Sequence, residues 1–120
     1  MSGSLHTRTD TESRQIVEDW GTLTWLANQE LSDSSITLGR VVIHRGKSNP
    51  RHCHNTCEEI LYLLRGTLRH SLGEQGVTML AGDTLIVPEG VMHNAENIGD
   101  EDADMMIAYS SGRRDFQQET

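Results

Sequence analysis

At 120 residues, with 10 basic against 18 acidic side chains and a formal charge of −8, the chain is long enough for one hydrophobic core. The same balance excludes a basic stripe of the kind that nucleic acid or an anionic membrane surface requires. No apolar run approaches the length of a membrane span, and residues 1–15 lack the apolar core of a signal peptide. Cys53 and Cys57 are four positions apart, a poor disulfide framework, so a reducing cytoplasmic setting is the default expectation.

Residues 1–15 are polar, lack periodicity and read as an N-terminal tail. The pattern over 16–20 is compatible with a short amphipathic helix. From residue 22 the chain reads as short strands, at 22–28, 35–44, 58–66, 67–73, 75–80, 83–88 and 103–110. Gly46, Gly66, Gly73, Gly76, Gly82, Gly90 and Gly99 punctuate them, which predicts an all-β sandwich or barrel forming a single domain over residues 16–110. The acidic run at 100–104 lacks calcium-loop spacing and reads as a solvated turn. Residues 111–120 read as a polar C-terminal tail in which Arg113 and Arg114 act as solubilising charges, a substrate clamp being the alternative.

Alternation within 58–66 carries a deduction about assembly. If Glu59 points inward, Leu61 and Leu63 share its face, and Ile60, Tyr62 and Leu64 point the other way. A strand apolar on both faces needs cover on both. That cover is expected from a second subunit in a homodimer, with packing inside one chain as the competing explanation.

Four donors sit at metal-ligand spacing. His52 and His54 are two apart and leave the same face of a strand, while Glu59 opens the next strand after a bend at 55–58. In the second segment Pro88 and Gly90 form a corner that swings His93 inward, and the amide of Asn97 is placed to pin a loop. Imidazoles suit zinc, copper, iron and nickel, and a carboxylate extends the range to manganese. Four protein ligands on an octahedral ion leave two positions open, the signature of a catalytic site. The competing readings are separately hydrogen-bonded histidines and a site built on the cysteines. Cys53 alternates with its histidine neighbours and reads as a small core residue. Cys57 reads as a bystander, a pocket wall or a redox-sensitive thiol.

At these residues the chain resembles the cupin superfamily. The first motif of that family is matched by Gly46, His52, His54, Glu59 and Gly66, and the second by Gly82, Pro88, Gly90, His93 and Asn97, with fifteen residues between them. The resemblance implies a single-domain jelly-roll β-barrel holding one divalent transition metal (manganese, iron, nickel, zinc or copper) on His52, His54, Glu59 and His93. The stretch 48–52 is similar to germin-type oxalate oxidases, which implies a pocket-lining role for Asn49; a turn residue before Pro50 is the plainer alternative.

The fold hosts many chemistries, so the reaction depends on what faces the open metal positions. Leu61 and Leu63 form one apolar wall, and Met105, Ile107 and Tyr109 another. Arg40 and His44 share a face of their strand: inward, they would hold a substrate carboxylate and move a proton, and outward they are surface residues. The leading expectation is a metal-dependent enzyme acting on a small oxygenated molecule (a sugar derivative, hydroxy-ketone or organic acid) by isomerase or lyase chemistry. The alternatives are an Fe(II)-dependent dioxygenase, a non-catalytic module binding a small sugar-like ligand, and a purely structural metal site.

Overall fold

The computed structural model describes residues 13–120, so most of the expected N-terminal tail lies outside the described residues. The elements in chain order are β1 (Arg14–Glu18), β2 (Gly21–Ala27), the single-turn helix α1 (Gln29–Ser32), β3 (Thr37–Ile43), β4 (His52–Cys53), β5 (Glu59–Arg65), β6 (Thr67–Leu72), β7 (Gln75–Leu80), β8 (Thr84–Val87), β9 (His93–Asn97), β10 (Ala103–Tyr109) and β11 (Gln117–Gln118). They form two antiparallel sheets in a jelly roll. The six-stranded sheet runs β1-β2-β3-β10-β5-β8, and the five-stranded sheet runs β11-β4-β9-β6-β7.

Alternation decides which side chains meet between the sheets. On β3 Val41 and Ile43 are buried and Arg40 is exposed; on β10 Ala103, Met105, Ile107 and Tyr109 are buried. On β5 Glu59, Leu61 and Leu63 turn inward, while Ile60, Tyr62 and Leu64 remain 43%, 42% and 47% exposed. Leu61, Leu63, Met105 and Ile107 join Val41, Ile43, Leu68 and Met79 in one core cluster. Gly66 lets β5 turn directly into β6. Its φ is +95°, and an added Cβ would stand 2.9 Å from the Cα of Ala103.

Two stretches depart from their sequence reading. Residues 14–18 are a strand, pairing with β2 from Arg14 opposite Trp25 to Glu18 opposite Gly21, where the sequence allows a short helix at 16–20. Ile16 and Val17 are β-branched and have a ready partner edge, so pairing overrides a weak local periodicity. The C-terminal residues do not leave the domain: β11 pairs with β4, Gln117 opposite Cys53 and Gln118 opposite His52.

Asn97 ties the end of β3 to the turn that leads into β10. Its Nδ2 donates to the carbonyls of Ile43 and Glu101, each at 2.8 Å, and its Oδ1 accepts from Gly99 N at 3.0 Å. The side chain is buried, so removing the amide strands polar main-chain groups. Asn97→Ala is expected to lower stability by about 2–3 kcal/mol, read as a drop in the urea midpoint at constant slope.

Candidate metal centre

The five-stranded sheet and the residue just past its β4 strand supply three imidazoles. His52 on β4 pairs directly with His93 on β9, and His54 follows two residues after His52. Gly90 shapes the corner that delivers His93: at φ +76° its N–H donates to the carbonyl of His54 at 2.7 Å. The facing sheet supplies Glu59 at the start of β5. All four side chains are buried. One nitrogen from each of His52, His54 and His93 lies within 4.8 Å of the others. Glu59 Oε1 stands 3.2 Å from His54 Nε2 and 3.1 Å from His93 Nε2.

Main-chain carbonyls set the orientation of each ring. His52 Nδ1 donates to Pro50 O at 2.7 Å, His93 Nδ1 to Val91 O at 2.9 Å and His54 Nδ1 to Asp115 O at 2.6 Å. A carbonyl can only accept, so the hydrogen sits on Nδ1 and a neutral ring presents the lone pair of Nε2 to the centre. Against Glu59 these Nε2 atoms set lone pairs on a carboxylate oxygen unless a proton or a cation stands between them, and His93 Nε2 lies at hydrogen-bonding distance from it, 3.1 Å. His54 Nε2 is buried and, although 3.2 Å from Glu59 Oε1, meets no hydrogen-bond partner of good geometry among the described residues. A cation between these atoms would satisfy all of them, so the residues fit a divalent transition metal.

Electrostatics point the same way. Burial lowers His52 to about 4, against the raising effect of its bond to Pro50, so the ring is neutral at pH 7. Burial raises the Glu59 carboxyl, but positive hydrogens turned toward it from His54 and His93, whose place a cation can equally take, outweigh burial and hold it at about 2. The pocket therefore favours an ionised carboxylate beside a positive charge.

The structure also brings in residues that sequence reasoning passed over. His70 on β6 is buried, stacks on His93 with centroids 5.7 Å apart and planes 12° apart, and donates Nδ1 to Ser71 O at 2.9 Å. Burial lowers it to about 4. Its alternation with buried Leu68 was the available signal. Residues 111–120 form a strap across the site. The Asp115 carboxylate accepts from Asn55 N, Thr56 N and Thr56 Oγ1, at 2.7, 3.0 and 2.7 Å. Phe116 stacks on His52 at 4.6 Å, and Arg114 lies among Trp25, Tyr109 and Phe116. The solubilising role expected for Arg114 is thus corrected. Phe116, the chain's only phenylalanine, was the hint that this stretch docks.

Among the other pocket candidates, Asn49 and Tyr109 line the cavity beside the histidines, and Arg40 and His44 do not. Asn49 Oδ1 accepts from Ala95 N at 2.8 Å, tying the approach to β4 onto β9. Tyr109 packs edge-on to His54, and burial raises its phenol well above the usual value, so it stays protonated. Arg40 faces outward and binds the Asp104 carboxylate, with Nε 2.8 Å from Oδ1, because Val41 and Ile43 take the inner face. His44 is half exposed, 3.4 Å from Asp102. Both therefore leave the list of pocket residues. Cys53 and Cys57 are buried free thiols, and burial raises Cys57. The cavity holds about 420 Å³ and its wall is mostly apolar, with Leu23, Val41, Leu61, Met105 and Ile107 among its members.

The depressed histidines make stability pH-dependent. Between their unfolded value of 6.5 and about 4, the unfolded chain binds protons that native His52 and His70 refuse. Their contribution is complete above pH 6.5 and declines as pH falls toward 4. The thermal midpoint of metal-free protein is expected to fall across that window, with a shallower fall in His70→Gln; a flat profile would contradict this assignment.

The family model described as a cupin domain matches residues 39–109. Germin-like protein 3-5 of Oryza sativa subsp. japonica is 30% identical over 84 residues, covering 63% of this chain and 37% of that protein. Oxalate oxidase GF-3.8 of Triticum aestivum is 27% identical over 111 residues, covering 86% of this chain and 48% of that one. The chain thus spans less than half the length of these curated relatives. Among solved structures, the formate complex of Lactobacillus farciminis oxalate decarboxylase superimposes with a TM-score of 0.83 at 18% identity, covering 90% of this chain and 34% of the other.

Proposed function

The chain belongs to the cupin domain family, and from that premise we propose a metal-dependent enzyme acting on a small oxygenated molecule, with one divalent transition metal held by His52, His54, Glu59 and His93. The observation that carries this reading is the convergence of three carbonyl-oriented imidazoles and an ionised carboxylate on one buried point, with His54 Nε2 left unpartnered. When bound, such an ion supplies Lewis-acid polarisation of a substrate oxygen, or redox chemistry if it is iron.

The remaining roles belong to the chain itself. The carbonyls of Pro50, Val91 and Asp115 hold the rings in register. Asn49 fixes the β4–β9 approach. The apolar wall excludes water, which strengthens every charge interaction inside. Neutral His70, beside His93, is placed to accept a proton at Nε2, the base that isomerase or lyase chemistry requires. Relatives named for oxalate oxidation and an oxalate decarboxylase with a similar fold support an organic acid as substrate. A cavity of about 420 Å³ has room for more than a two-carbon acid and falls within the roughly 300–1,000 Å³ typical of small-molecule pockets. The apolar wall also favours a second reading, oxygen-dependent chemistry at an iron ion, which oxygen uptake by the Fe(II) form would separate from the first.

Purified protein is expected to carry close to one transition metal per chain by elemental analysis. His54→Ala combined with His93→Ala should release the metal while leaving the far-ultraviolet circular dichroism of a β protein. Carefully reconstituted wild type that holds no metal would end this reading.

We also propose a homodimer through the outer face of the six-stranded sheet. Ile60 and Tyr62 pair with Ile86 and Thr84 on β8 and with Ala108 and Met106 on β10, and Leu38 lies opposite Ala108 on β3. The result is an apolar band across four strands with exposed Leu38, Ile60, Tyr62, Leu64 and Ile86. Light scattering at micromolar concentration should give twice the chain mass, falling to one chain in Tyr62→Glu. A monomeric wild type would rule the dimer out.

A further inference from the structure

Arg114 is a largely buried charge with no counter-charge among the described residues. Its guanidinium carbon lies 4.7 Å from the Trp25 ring centroid, 5.2 Å from Phe116 and 5.6 Å from Tyr109. The Tyr109 phenol oxygen accepts a hydrogen bond from the guanidinium, but among the described residues Nε, shut off from solvent, has no hydrogen-bond partner and no carboxylate pairs with the group. Arg14, Arg40, Arg51 and Arg65 have the acidic partners Glu30, Asp104, Glu119 and Glu101, and Arg45, Arg69 and Arg113, outside these ion pairs, are exposed to water as Arg114 is not. Asp115, next to Arg114 in sequence, is committed to the turn at Asn55 and Thr56. Cation–π contacts offset only part of the cost of desolvating a charge.

The position of this cation gives the omission its meaning. Arg114 lines the cavity that holds His52, Glu59 and His93, and also a second, more open cavity of about 590 Å³ that includes Trp25 and Thr37. Phe116 stacks on His52, and Tyr109 meets His54 edge-on at 4.9 Å. One aromatic ring therefore separates the guanidinium from each of two imidazoles. We propose that Arg114 is the specificity-determining residue of the site: it takes the carboxylate end of an amphipathic acid whose apolar body lies on Leu23, Leu61, Met105 and Ile107 and whose second oxygen function reaches the imidazoles. The planar fork of the guanidinium matches a carboxylate in two parallel hydrogen bonds, and the apolar surroundings strengthen them. The second oxygen function rests on the metal-site reading; recognition of the carboxylate by Arg114 does not.

Calorimetric titration with 3-phenylpropanoate and its uncharged amide, 3-phenylpropanamide, tests the assignment on the protein as purified and after metal removal with a chelator. In both states the carboxylate is expected to bind about tenfold tighter than the amide or more, as one charged hydrogen-bond pair supplies. Arg114→Gln should reduce that ratio to within about twofold, and Arg114→Lys, a point charge without the fork, should retain an intermediate ratio. The ratio reports charge recognition, which a merely structural arginine would not set, and its wild-type value requires no variant to fold. Equal affinities, no saturable binding of the carboxylate at millimolar concentration, or a ratio unchanged in Arg114→Gln would overturn the proposal. A preference found only in metal-loaded protein would overturn it too, while leaving the metal site standing. A preference that persists in a protein unable to hold metal would support Arg114 and sink the metal reading alone.

Discussion

The centre of this molecule depends on one kind of interaction, the hydrogen bond from a histidine Nδ1 to a main-chain carbonyl. Without it each ring would be free to turn, and the three Nε2 lone pairs would not converge. Two of these bonds are local: Pro50 and Val91 each lie two residues before the histidine they hold. The third reaches from His54 to Asp115, 61 positions away. The site is thus complete only when the C-terminal strap has docked, and the strap docks through Asp115 on the 55–56 turn, β11 on β4, and Phe116 on His52.

The two sheets divide the work. The five-stranded sheet brings three imidazoles together, because β4 and β9 are neighbours and their histidines pair directly. The six-stranded sheet contributes Glu59 and most of the apolar wall. Leu61 follows Glu59 on the inner face of β5, and Met105 and Ile107 stand opposite Leu63 and Leu61 on β10. A carboxylate at the edge of such a wall is costly to bury, and the low polarity that makes it costly also strengthens its attraction to any cation beside it. The polar cluster and the hydrophobic core are therefore one device.

How much of this the sequence revealed depends on how strongly each segment is patterned. On β5 and β10 strict alternation separates the inner from the outer face, and the spacing of His52, His54, Glu59 and His93 places four donors on elements that can meet. Arg40 and His44 were ambiguous because the 35–44 segment carries apolar residues on both faces, Ile36 and Leu38 on one and Val41 and Ile43 on the other. Periodicity cannot rank two apolar faces; packing against Trp25 and Ile107 does. His70 was hidden because a single histidine in a strand ordinarily signals nothing beyond a satisfied hydrogen bond. The strap was hidden for a different reason: Asp115 and main-chain pairing fasten it, so its composition resembles that of a free tail.

That hidden strap changes the character of the cavity. At one end imidazole nitrogens and a carboxylate present an excess of negative potential; at the other Arg114 presents a positive charge that no carboxylate among the described residues neutralises. The two do not neutralise each other directly. Glu59 is engaged by His54 and His93, and the rings of Tyr109 and Phe116 stand between the imidazoles and the guanidinium. Between the ends runs an apolar wall that water screens poorly. A cavity built this way is polarised along its length, and its two ends call for different partners, a cation at the imidazoles and an anion at the arginine. A metal ion alone would satisfy only the first, and the second is the end to which the proposal for Arg114 assigns recognition of an acid.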